Sequence, residues 1–432
     1  MGLYSLKKLR MHYTRDVLEN GLRVVTVPLK DNPTVTVLVM VEAGSKYETK
    51  EINGLSHFLE HMCFKGTTKR PKAIDISREL DSIGAEYNAF TSQEFTGYFA
   101  KAEAKHFSKI LDVVSDLYLN PTLDAVELEK EKGVIVEEIN MYEDMPQRHV
   151  ADLFMSLVYG DQPAGWNIAG TRENVKKFTR KDFVSYREAQ YVAPATTVIV
   201  SGSFDATSVT RGLREAFGGL SSLPKSEKER TRDTQARPAA LLEYKKTDQA
   251  HLVLGFRTFD TFAKEHPTMK IIEGILSGGM SSRLFQKLRE EMGVGYYVRA
   301  CEDSYTDHGL LTVSAGVDKE RVIEVLQAIL GELKRLRDEP VSAAELTKVK
   351  DYLVGTLYLG LESSDSVAEF LGFQEVLGKP LKTPEELIAE LMAVTPSMIQ
   401  ETAGKIIRND TLNLALIGPF ENPTEFEKVL HF

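Results

Sequence analysis

The sequence predicts an α+β protein of two similar domains, each a mainly antiparallel sheet with helices on one face. Three observations carry that prediction. Short runs rich in Val, Leu and Thr alternate with stretches of helical periodicity in the order β, α, ββ, α, which layers helices on a sheet. A polar run at 221–238 is nearly free of apolar residues and reads as a linker between a domain at 1–220 and another at 239–432. The pattern then repeats down to residues. LDSIGAEY at 80–87 is echoed by REEMGVGY at 289–296, with Gly84 matching Gly293, and Glu127, Leu128, Lys130 and Lys132 are echoed by Glu345, Leu346, Lys348 and Lys350.

In chain order, residues 22–27 and 34–43 concentrate β-branched and apolar side chains and read as strands. A helix follows from about residue 55, and a second spans 73–83, stopped by Gly84. Residues 86–90 and 95–100 form a hairpin around Ser92 and Gln93. Two long helices, 104–119 and 123–142, are separated by Pro121 at a helix start. Helices near 150–158 and 180–189 and a strand at 196–201 complete the first half. After the linker come strands at 239–244 and 251–256, a helix at 267–276, a glycine-rich turn at 277–279 and a helix at 283–291.

Composition narrows the function. With 432 residues, 42% hydrophobic and 27% charged, the chain is long enough for two well-packed cores. A net charge of −10 argues against a nucleic-acid surface, which needs a basic face. Two cysteines, Cys63 and Cys301, supply no disulfide framework, and no 18-residue apolar run offers a membrane span. A cytoplasmic protein is expected. The stretch 1–15 carries Lys7, Lys8, Arg10 and Arg15 before the first acid, Asp16, so a short organellar targeting segment stays open.

The chemistry concentrates in residues 54–66, where His57, Glu60 and His61 form an HxxEH motif among helix formers. Residues four apart on a helix share a face, so both imidazoles can meet one ion. Two imidazoles and a carboxylate suit zinc, and a catalytic site keeps a fourth position open for water. Glu60, free of ligand duty, can take the proton from that water. The third ligand is expected from the acidic stretch 123–144, where spacing alone cannot choose among Glu127, Glu129, Glu131, Glu137, Glu138, Glu143 and Asp144. Glu131 and Glu138 lie two turns apart on one face, close to Ile135.

These motifs, HFLEHMCFKGT, GAEYNAFTSQE, EKGVIVEEINMYED and SGGMSSRLFQKLREEMGVGYYV, resemble the pitrilysin and insulinase family of zinc metallopeptidases, the inverzincins, and above all its short members related to mitochondrial processing peptidase. The resemblance implies a zinc endopeptidase with one Zn2+ per chain, held by His57, His61 and Glu138. Glu131 would support the ligands and Glu60 would act as base. Glu137, about 100° round the helix from Glu138, is the competing ligand. The resemblance also implies that Arg289 and Tyr296 stabilise the oxyanion, with Tyr297 as the alternative tyrosine, and that Asn88, Ala89 and Phe90 form an edge to which an extended peptide adds. Short family members form dimeric chambers, so a homodimer is expected, or a heterodimer with a related chain, in which Arg289 and Tyr296 act across the interface. The partners implied are peptide substrates, without nucleic acid or membrane. The alternative is a non-catalytic partner subunit of a peptidase complex.

Overall fold

The runs of Val and Leu that read as strands are buried on both faces. In the computed structural model, which describes residues 11–432, the first sheet holds six strands: β1 (Thr14–Val17), β2 (Arg23–Pro28), β3 (Thr34–Val41), β4 (Glu86–Thr91), β5 (Thr96–Glu103) and β6 (Thr196–Gly202). Their spatial order is β1-β2-β6-β3-β5-β4, with β2 and β6 parallel and all other neighbours antiparallel. The second sheet, β7 (Ala239–Tyr244), β8 (Gln249–Thr258), β9 (Gly295–Ser304), β10 (Gly309–Asp318) and β11 (Leu412–Gly418), runs β7-β11-β8-β10-β9. Its one parallel pair, β7 with β11, stands where β2 pairs with β6. From β2 onward the two sheets are therefore equivalent strand for strand. The basic segment with Lys7, Lys8 and Arg10 lies outside the described residues.

The helices of the first half are α1 (Leu55–Cys63), α2 (Ala73–Asp81), α3 (Phe107–Leu119), α4 (Ala125–Asp144), α5 (Pro146–Tyr159), α6 (Arg172–Lys177), α7 (Arg180–Gln190) and α8 (Ala206–Phe217). The second half contributes α9 (His266–Ser277), α10 (Arg283–Phe285), α11 (Val322–Asp338), α12 (Ala343–Leu359) and α13 (Ser364–Val376), then further helices to the C-terminus. The repeat seen in the sequence coincides with structure. Side chains of Asp124 and Ser342 cap α4 and α12 at equivalent places. Gly84 and Gly293 take the left-handed backbone, φ 63° and 65°, that ends the helical segment before each edge strand. Residues 221–238 form neither helix nor strand.

Each sheet packs helices of its own half on one face. Val35, Val37, Val39 and Val41 of β3 enter a core with Phe58, Ile110, Val114 and Phe183. The opposite face is closed by a helix lent from the other half: Leu38 and Met40 of β3 and Ile199 of β6 meet Val367, Ala368 and Leu371 of α13. Reciprocally, Val150, Phe154 and Val158 of α5 cover Val253, Leu310, Ala415 and Ile417 of the second sheet. This exchange explains why β3 and β6 read as continuous apolar runs rather than alternating ones. Among the described residues, no helix is long and apolar enough to cross a membrane.

Candidate metal centre

Leu55, Phe58, Leu59 and Met62 bury the apolar side of α1, with Phe58 edge-on to Phe183 at 4.9 Å between ring centroids. That packing turns His57 and His61 outward together, their ring centroids 4.8 Å apart. Cys63 is buried near the Tyr98 hydroxyl, and burial pushes its thiol up to about 11, which leaves it inert. Helix α4 crosses α1 and sinks Leu128, Ile135 and Ile139 into the same core.

The crossing carries Glu138 to the histidines. Glu138 Oε2 lies 3.7 Å from His57 Nε2 and 3.5 Å from His61 Nε2, and one ligand atom from each residue falls within 4.8 Å of the others. These separations are too long for hydrogen bonds yet close to the ~3.3 Å spacing of atoms about 2.0–2.1 Å from a shared tetrahedral ion. The donor set of two imidazoles and a carboxylate fits zinc. Glu137, the competing acid about 100° round the helix, is exposed.

The surroundings orient these groups. His61 Nδ1 meets Glu131 Oε1 at 2.9 Å, which leaves the Nε2 lone pair facing Glu138. The other Glu131 oxygen takes the Lys65 ammonium at 2.6 Å. The Tyr142 hydroxyl donates to Glu138 Oε1 at 2.7 Å, so Oε2 is the free oxygen, and the Arg148 guanidinium stacks 3.8 Å above the Tyr142 ring. Burial, with His61 alongside, lowers His57 to about 4 and keeps it neutral as a ligand must be. Burial also works against charge on His61, but Glu131, Glu138 and Glu60 outweigh it and raise its pKa. Glu60 sits beside the triad, its Oε2 accepting the Thr91 hydroxyl; burial raises its pKa despite that bond.

The other sequence-derived candidates fall in two places. Asn88, Ala89 and Phe90 lie on β4, the edge of the first sheet, which among the described residues pairs only with β5 and lies against α1. Arg289 and Tyr296 are together but elsewhere. The expected helix at 283–291 is a short α turn followed by a π-helical segment, Gln286–Glu291, whose wider turn carries Arg289. The Arg289 guanidinium donates to the Tyr296 carbonyl at 3.3 Å, and among the described residues neither side chain bonds to the first half. Tyr296 is 62% exposed, whereas Tyr297 is engaged by His251 Nδ1 at 3.2 Å. Sequence reasoning passed over Thr91, Lys65 and Tyr142. Tyr142 was findable, four residues beyond Glu138 and thus one turn along its face; the nearness of Thr91 to Glu60 has no local signal.

This fold and this cluster define a class, and the chain belongs to it: peptidase family M16. The family model described as "Insulinase (Peptidase family M16)" matches residues 23–172, and "Peptidase M16 inactive domain" matches residues 177–353. An uncharacterized zinc protease of Bacillus subtilis is 36% identical over 94% of this chain and 98% of its own length. Another, from Mycobacterium leprae, is 33% identical over 94% and 92%. A Helicobacter pylori protease shares the fold with a TM-score of 0.89 at 22% identity, over 95% of this chain and all of that one.

Counting along the repeat explains the asymmetry between the halves. The α4 positions of Glu131 and Glu138 correspond to Val349 and Thr356 of α12. Among the described residues, the second half brings no comparable cluster of metal-ligating side chains together.

Proposed function

We propose that this protein is a zinc-dependent endopeptidase that hydrolyses extended peptides or unfolded segments. The observation that carries the reading is the convergence of His57 Nε2, His61 Nε2 and Glu138 Oε2 with Glu60 beside them. One zinc per chain would be held by these three residues, supplying Lewis acidity and an acidified water at the open position. Glu60 accepts the proton of the attacking water and returns it to the leaving amine, roles that suit a carboxyl whose pKa burial has raised. Thr91 holds Glu60 in place, and Glu131 and Tyr142 fix the lone pairs of His61 and Glu138.

Substrate adds as a strand to the free edge of β4 at Asn88, Ala89 and Phe90, which runs past α1. Backbone pairing of this kind selects an extended chain rather than a particular sequence. Arg289 and Tyr296, exposed and without partners among the described residues of the first half, serve the site of a second copy across a dimeric chamber, where they stabilise the developing oxyanion.

The test measures bound zinc together with cleavage of a peptide library by wild type and Glu60→Gln. Zinc-loaded wild type that cleaves, with Glu60→Gln retaining zinc but losing turnover by about 10²–10⁴-fold, is the expected result. Zinc-loaded wild type without turnover refutes the peptidase reading in favour of a binding subunit.

A further inference from the structure

The start of the metal helix has an unusual solution to its capping. Gly54, the N-cap of α1, adopts φ 101°, and a Cβ there would lie 2.6 Å from the Ala169 carbonyl oxygen and 2.9 Å from Gly170 Cα. No Ser, Thr, Asp or Asn, the residues that ordinarily cap a helix, can stand at that position. The first turn of α1 has no acid of its own either. Glu48, six residues upstream, supplies the missing acceptor: its Oε2 takes the Gly54 N–H at 2.8 Å and the Asn53 amide at 3.1 Å, and its Oε1 takes the Ser56 N–H at 2.6 Å. The Ser56 hydroxyl is held in turn by the Tyr186 hydroxyl at 2.6 Å.

This carboxylate is buried, and among the described residues it forms no ion pair. Its compensation is the positive end of α1. Burial pushes its pKa up to about 7, so the ionised group works against the stability of the fold. A group that costs stability is expected where function requires it. Its segment is also anchored outside the helix. The N–H groups of Ser45 and Lys46 donate to the Ser92 and Gln93 carbonyls at the tip of the β4–β5 hairpin, at 3.2 and 2.8 Å. The fully buried Lys46 ammonium pairs with Asp307 of the second half.

We propose that Glu48 is a positioning residue of the metal centre: by capping α1 from the loop that grips the edge-strand hairpin, it sets His57 relative to Glu138 and to the peptide-binding edge. This rests on the metal reading above. The ligand His57 directly follows Ser56, so the bonds from Glu48 to the Gly54 and Ser56 N–H groups fix the turn from which the imidazole projects.

The experiment compares wild type, Glu48→Gln and Glu48→Asp by zinc affinity in chelator competition, by the visible spectrum of the cobalt(II)-substituted protein, and by the melting temperature of the metal-free form at pH 8. Glu48→Gln should bind zinc about tenfold more weakly, the size of a partly buried charge–helix interaction, and shift the cobalt bands. Its metal-free melting temperature should equal or exceed that of wild type. A purely structural residue would show the reverse, a lower melting temperature with an unchanged cobalt spectrum, and that result overturns the proposal. So does wild-type zinc affinity in Glu48→Gln. Glu48→Asp, which keeps the charge on a shorter arm, decides the matter if Glu48→Gln does not fold: weakened zinc binding supports the role, and wild-type binding refutes it. A wild type that takes up no zinc refutes the metal reading itself.

Discussion

The proposed division of the active site between two chains makes a quantitative prediction. Glu60 belongs to the metal centre, while Arg289 projects from the π-helical segment, donating to the Tyr296 carbonyl and lying over the Phe285 ring, and among the described residues it forms no hydrogen bond or ion pair with the first half. Glu60→Gln alone should lose about 10²–10⁴-fold in turnover through the missing base, and Arg289→Ala about 10²–10³-fold through the missing oxyanion donor. Now let the two variants be co-expressed with different tags and the mixed dimer isolated. One of its sites collects both substitutions, lacking base and oxyanion donor alike, and is dead; the second pairs an intact Glu60 with an intact Arg289. By the two-fold symmetry of such a dimer, the mixed species should recover about half of wild-type activity per dimer. If Arg289 instead served its own chain, both sites would be damaged and activity would stay below about one per cent. Peptide turnover at matched zinc content reads the difference. A mixed dimer no more active than its parents refutes action across the interface, and a protein that is fully active as a monomer refutes the shared chamber.

Two further predictions concern the ligands and pH. Glu138→Gln should lose its zinc and Glu137→Gln should keep it, because only Glu138 faces the two imidazoles; metal analysis of the purified variants decides, and the reverse outcome moves the ligand by one residue. Burial raises the Glu48 pKa from 4.5 to about 7, so between those values the folded chain holds a proton that the unfolded chain has released, and this residue makes stability fall as pH rises. Glu48→Gln removes that slope: in urea unfolding of the metal-free protein, the stability of the variant relative to wild type should rise by ~3 kcal/mol between pH 4 and pH 8. A difference that stays flat across the window would show that Glu48 titrates normally.

His57, Glu60 and His61 were legible because they share one helix, whose geometry converts spacing into relative position without help from the rest of the fold. The same holds for Glu131 with Glu138, two turns apart on one face, and for the repeat, whose left-handed Gly84 and Gly293 are required by local backbone conformation. Everything that joins distant segments lay beyond that reach. An apolar helical face states that it will be buried, not against what. The sequence of α13 therefore did not reveal that it covers the first sheet, nor that of α5 that it covers the second.

What the sequence by itself determined, then, was the metal helix, the acidic helix, the order of strands and helices in the first half, and that the HxxEH motif occurs in the first copy alone. Tertiary structure decided which acid meets the histidines, since the crossing of α1 and α4 depends on Leu128, Ile135 and Ile139 packing into a core shared with Phe58 and Leu59. It also decided that Thr91 holds Glu60 and that Glu48 caps α1. Hydrogen bonds of that kind depend on the packed chain bringing residues from separate segments within about 3 Å, a condition no local spacing encodes.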